Sequence, residues 1–60
     1  MAAKFELYKD KKGEFRWRLI ASNGETIATG EGYKSKSGAK NGIESVKNNA
    51  PVAAVKDLTA

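Results

Sequence analysis

Through the first half of the chain, hydrophobic and polar residues change places at almost every step, the two-residue period of strands with one dry face. Over residues 4–10, Phe5, Leu7 and Lys9 fall on one side and Lys4, Glu6, Tyr8 and Asp10 on the other. Lys11-Lys12-Gly13 follows, a three-residue connection whose glycine suits the left-handed position that such hairpins need. The spacing predicts a second strand over 14–22, with Phe15, Trp17, Leu19 and Ala21 at alternate places. Asn23-Gly24 reads as a type I′ turn, because both residues tolerate positive φ, and it leads into a third strand over 25–30. At Gly30 the period changes. Ser35 is placed to cap a helix running to about Ala50, along which Ala39, Ile43, Val46 and Ala50 form one narrow apolar stripe. Pro51 stops that helix, and the Val/Ala-rich segment 52–57 reads as a fourth strand. The order is βββαβ, an α+β fold.

Turn chemistry sets register, so the hairpins can be threaded from the sequence. With Asp10 facing Glu14, Leu7 lies opposite Trp17 and Phe5 opposite Leu19, and these four make the core face. Through Asn23-Gly24, Leu19 then faces Ala28 and Trp17 faces Gly30, large against small. On the reverse face Glu6 meets Arg18 as an ion pair, Tyr8 meets Arg16 as a cation–π contact, and Ile20 meets Ile27 as an apolar pair. The result is an antiparallel meander with one dry face, covered by the helix, and one mixed face left open.

Composition bears on how so small a unit is held together. Sixty residues make a single domain, 1–60, and Leu, Ile, Val and Phe together number eleven, just under the roughly 20% that a chain normally needs to fold. There is no Cys and no His, which removes disulfides and the usual zinc sites. Idealised packing or oligomerisation are then the remaining routes to stability, which favours a dimer. No apolar run approaches the roughly 20 residues that span a bilayer, so a cytoplasmic protein with no membrane partner is expected.

Phe5-Glu6-Leu7-Tyr8-Lys9-Asp10, Phe15-Arg16-Trp17-Arg18-Leu19, Asn23-Gly24, Gly32-Tyr33, Ser35-Lys36, and Ile43 with Val46 together resemble the YegP-like family of short bacterial proteins, over about residues 4 to 50. The resemblance implies a βββαβ unit that occurs as a tandem repeat or as a homodimer, two units forming one sheet and exchanging C-terminal strands. This chain carries a single unit, so the resemblance points to the homodimer. It implies no activity, and it assigns no catalytic or cofactor residue to any position here.

The chemistry on offer is sparse. Gly30-Glu31-Gly32-Tyr33-Lys34-Ser35 is only half of a G-x-G-x-x-G phosphate loop, and its glycines have structural work: Gly30 admits Trp17, and Gly32 turns the chain toward the helix. The seven carboxylates offer no facing pair for acid–base work, and the serines have no base. No enzyme, metal site or cofactor is expected. Arg16-Trp17-Arg18 invites a nucleic-acid reading, but strand periodicity turns Trp17 to the other face and leaves Tyr8 as the one aromatic beside the arginines.

Two functions from different classes remain. The first is a homodimeric interaction module that takes a protein or peptide on its open face, through Glu6, Tyr8, Arg16, Arg18, Ile20 and Ile27. The two isoleucines motivate it, although they serve equally well as hairpin stabilisers. The second is weak, sequence-independent binding of nucleic acid, favoured by a net charge of +4 that a dimer doubles.

Overall fold

The computed structural model describes residues 2 to 59. Three strands and one helix follow in order: β1 (Lys4–Lys9), β2 (Phe15–Ile20), β3 (Thr26–Thr29) and α1 (Lys36–Asn49). The strands form an antiparallel sheet in the order β1-β2-β3. β1 and β2 pair as the alternation requires, with Phe5 opposite Leu19, Glu6 opposite Arg18, Leu7 opposite Trp17 and Tyr8 opposite Arg16.

Both hairpins close with the same three-residue loop. In the first, the Gly13 N–H donates to the Asp10 carbonyl at 3.1 Å and the Asp10 N–H to the Glu14 carbonyl at 2.9 Å, with Gly13 at φ 83°. In the second, the Gly24 N–H donates to the Ala21 carbonyl at 2.9 Å and the Ala21 N–H to the Glu25 carbonyl at 2.8 Å, with Gly24 at φ 91°. The expected type I′ turn is therefore not what forms. Asn23 keeps a negative φ, and Ser22-Asn23-Gly24 makes a turn of the three-residue kind in which only the glycine is left-handed.

That longer loop shifts the ladder by one residue, and a bulge in β3 shifts it back. Next to the turn Ile20 faces Thr26, whereas one step on Leu19 faces Ala28 and Arg18 faces Thr29. Ile27 is the additional residue. The expected Ile20–Ile27 pair is thereby undone, and Ile27 stands 59% exposed.

α1 begins where capping chemistry puts it, with the Ser35 hydroxyl accepting the Gly38 N–H at 3.0 Å. It lies on β2 and β1 and does not reach β3. The core under it is minimal. Trp17 is 5% exposed and Ala39 fully buried, and these are the two buried hydrophobic residues among those described. The Phe5 ring meets the indole edge-on at 5.6 Å between centroids. The indole lies directly on Gly30, where a Cβ would collide with it, as the pairing of large with small required. Tyr33 pairs with Phe15 through two backbone hydrogen bonds of 2.8 Å, which carries β2 past the end of β3. Its phenol reaches Gly42 on the helix. Ala50, expected to close the apolar stripe, is exposed.

The fourth strand does not form among the described residues of a single chain. After α1 the last backbone link is from the Val52 N–H to the Asn49 carbonyl at 3.2 Å, and everything from Pro51 to Thr59 is exposed. A strand exists only against an edge that satisfies its N–H and C=O groups, and the arm leaves the helix without meeting one.

Candidate interaction surface

The sheet face turned away from α1 is built by the polar half of the alternation. Lys4, Glu6, Tyr8 and Asp10 project from β1 and its end, and Arg16, Arg18 and Ile20 from β2, at the register positions given above. Arg18 Nε donates to Glu6 Oε1 at 2.7 Å, and Lys4 Nζ approaches Glu6 Oε2 at 3.1 Å. The Arg18 guanidinium also lies 4.6 Å from the Tyr8 ring centre. The cation–π partner of Tyr8 is thus Arg18 and not the expected Arg16.

Arg16 is held elsewhere. Its Nε donates to Asp10 Oδ2 at 2.7 Å, and its Nη1 reaches the Gly30 carbonyl at 3.5 Å. The other oxygen of Asp10 accepts the backbone N–H groups of Lys12 and Glu14, both at 2.9 Å. One carboxylate therefore ties down both the first turn and an arginine of the open face. The hydrogen bond from Arg16, helped by the Glu14 and Lys12 amides, lowers the Asp10 carboxyl below its usual range. Arg18 and then Lys4 do the same for Glu6, and each arginine is held more firmly protonated by its carboxylate partner.

At the end of this face above the second turn, an open groove of about 560 Å³ runs between Lys4, Glu6, Ile20, Ala21 and Gly24. Ile20 lies in it. Of the expected surface, Glu6, Tyr8 and Arg18 form one connected cluster and Ile20 borders it, while Arg16 belongs to the turn and Ile27 stands apart on the bulge. Reading the sequence by directly opposed pairs missed Lys4 and Asp10 as partners, although both share the face of Glu6 and Tyr8 by simple alternation. No grouping of three or more His, Cys, Asp or Glu suited to a metal occurs among the described residues. Nor is any helix among them long and apolar enough to cross a membrane.

A three-stranded meander with one capping helix, its arginines tied to carboxylates, defines a small α+β domain built on a sheet face. Residues 10–57 match the family described as a domain of unknown function, DUF1508. The chain belongs to that family. It is 62% identical over 58 residues to a UPF0339 protein of Treponema denticola, covering 97% of this chain and all of that one. A UPF0339 protein of Stutzerimonas stutzeri, encoded in the 5′ region of the ptx operon, is 63% identical over 51 residues, which make up 46% of its length. The NMR solution structure of a protein from Haloferax volcanii superposes with a TM-score of 0.83 at 54% identity, covering 92% of this chain and 93% of that one. The expectation of a bacterial family is thus too narrow, since that organism is an archaeon. Neither the family description nor the names of these relatives states an activity.

Proposed function

We propose that the protein is a non-catalytic interaction module that works as a homodimer, each chain lending its C-terminal arm to the other's sheet. The observation that carries this reading is the arm itself. Val52, Val55 and Leu58 are 80%, 96% and 83% exposed, on a segment with no strand partner among the described residues of its own chain. Burying each such side chain is worth roughly 1.5–3 kcal/mol. The solvent-accessible area supports the same reading: 4916 Å², against about 3,800 Å² for a folded monomer of this mass. Two chains therefore carry roughly 2,000 Å² in excess, which is what a stable dimer interface buries.

Of the two sheet edges, β1 is the better seat. It has six residues in unbroken register, as the 52–57 segment requires, and α1 already covers it. β3 has four residues and is bulged at Ile27, and short bulged edges resist added strands. The open face of such a dimer, around Ile20 and the Glu6–Arg18–Tyr8 cluster, is the surface for a protein or peptide. Nucleic acid is the weaker reading, because Arg16 and Arg18 must give up Asp10 and Glu6 before they can hold phosphate.

Sedimentation equilibrium tests the assembly. The full chain is expected at twice 6.5 kDa at micromolar concentration, and a chain ending at Pro51 is expected to be unfolded or aggregated. A monomeric full chain, or a truncation that stays folded and dimeric, contradicts the proposal. For the open face, beads carrying the protein should retain a partner that beads carrying its Ile20→Lys variant release, while both proteins sediment alike. Equal retention by the two removes this face as the binding surface.

A further inference from the structure

The second hairpin loop carries a chemistry that the assembly does not use. The sequence contains Asn-Gly twice, at Asn23-Gly24 and Asn41-Gly42. In this dipeptide the glycine nitrogen can attack the asparagine side-chain carbonyl, since no Cβ on the glycine obstructs the approach. Both asparagines are exposed, so exposure does not separate them. Backbone does. Asn41 and Gly42 lie inside α1, where the N–H of each residue is committed to the carbonyl four residues earlier and the helical dihedrals are fixed. Gly42 is in addition packed under the Tyr33 phenol and the Trp17 indole.

Asn23 and Gly24 sit at the apex of the loop between β2 and β3, and a Cβ built on Gly24 would meet nothing within 4 Å. Asn23 Oδ1 accepts the Glu25 N–H at 3.1 Å. That bond holds the side-chain carbonyl on the C-terminal side of its residue and polarises it. A single hydrogen bond, from the Gly24 N–H to the Ala21 carbonyl at 2.9 Å, keeps the nucleophile engaged, and isolated turn bonds at the solvent surface open readily.

We infer that Asn23 is a site of spontaneous, enzyme-independent deamidation, gated by opening of this turn, and that Asn41 is protected by its helix. The Gly24 nitrogen forms a bond to Asn23 Cγ while the bond from Cγ to Nδ2 breaks, and the nitrogen's proton leaves with that amide as ammonia. Water then opens the five-membered imide. Addition at the side-chain carbonyl leaves an aspartate in place of Asn23, and addition at the main-chain carbonyl leaves an isoaspartate, with the backbone rerouted through the side chain. Either product lowers the net charge of +4 by one beside Glu25. The isoaspartate also lengthens a loop whose three residues set the register of β3, so the modification acts on the weakest-paired strand of the sheet.

The test follows the intact full chain, labelled with ¹⁵N, by NMR at mildly alkaline pH and physiological temperature. The side-chain amide signals of Asn23 should decay while those of Asn41 persist at least tenfold longer. Isoaspartyl methyltransferase should label the aged protein, and should not label an aged Asn23→Ser variant. Equal lifetimes for the two asparagines, faster loss of Asn41, or equal methylation of the aged Asn23→Ser protein would each overturn the inference.

Discussion

Gly30 and Trp17 show how little separates a folded chain from an unfolded one at this size. The indole occupies the volume that any side chain at position 30 would need. Gly30→Ala should therefore cost about 1–3 kcal/mol through forced repacking, read as a lower urea midpoint with an unchanged slope. Trp17 Nε1 is buried without a hydrogen-bond partner among the described residues, so the residue serves by its volume and not by a polar contact. Asp10 is the polar counterpart, with two amides and one guanidinium on a single carboxylate. Its folded pKa and that of Glu6 are depressed. Their stabilisation is present above the unfolded carboxyl pKa and is lost as pH falls through the lower, folded values. Thermal melting should accordingly show stability declining in acid, and Asp10→Asn should flatten that decline and weaken the protein at neutral pH. A variant with the wild-type acid profile would refute this role. The Trp17–Gly30 contact was legible in the sequence because strand pairing sets large against small. The partners of the arginines were legible only in part. Long guanidinium side chains reach diagonally, so Arg18 takes both Glu6 and Tyr8, and Arg16 turns to a carboxylate at the strand end.

Elements follow the same division. Strands, helix and cap were readable because each rests on local rules: alternation for β1 and β2, a 3.6-residue stripe for α1, and a hydroxyl acceptor at Ser35. Ser35→Ala should cost about 1 kcal/mol of stability in chemical denaturation, since the Gly38 N–H loses its acceptor, and Ser35→Asp should restore it. The type of the second turn was not readable. Asn-Gly suits a two-residue loop with two left-handed residues, and equally a three-residue loop in which only the glycine is left-handed. The two solutions differ by one residue of register. The bulge at Ile27 absorbs that residue, which is why the pairs beyond it, Leu19 with Ala28 and Trp17 with Gly30, match the sequence reading while Ile20 with Ile27 does not.

At the scale of the whole molecule, a single chain is left with surface it cannot cover. Its radius of gyration is 13.1 Å, against about 10 Å for a compact domain of this length, and the core beneath α1 reduces to Trp17 and Ala39 among the described residues. The segment 52–57 has the composition of a strand and none of the pairing, because composition is a property of the sequence and pairing requires an edge. In the proposed dimer, lending that segment to a second copy would supply the edge and join two minimal cores, so stability should rise with protein concentration. The most direct measurement mixes isotope-labelled and unlabelled chains, unfolds and refolds them together, and records isotope-filtered NOEs. Contacts are expected between Val52, Val55 or Leu58 of one chain and β1 residues Lys4–Lys9 of the other. Refolded mixtures in which those side chains show no contact between chains, or contact only their own chain, would contradict the exchange of arms.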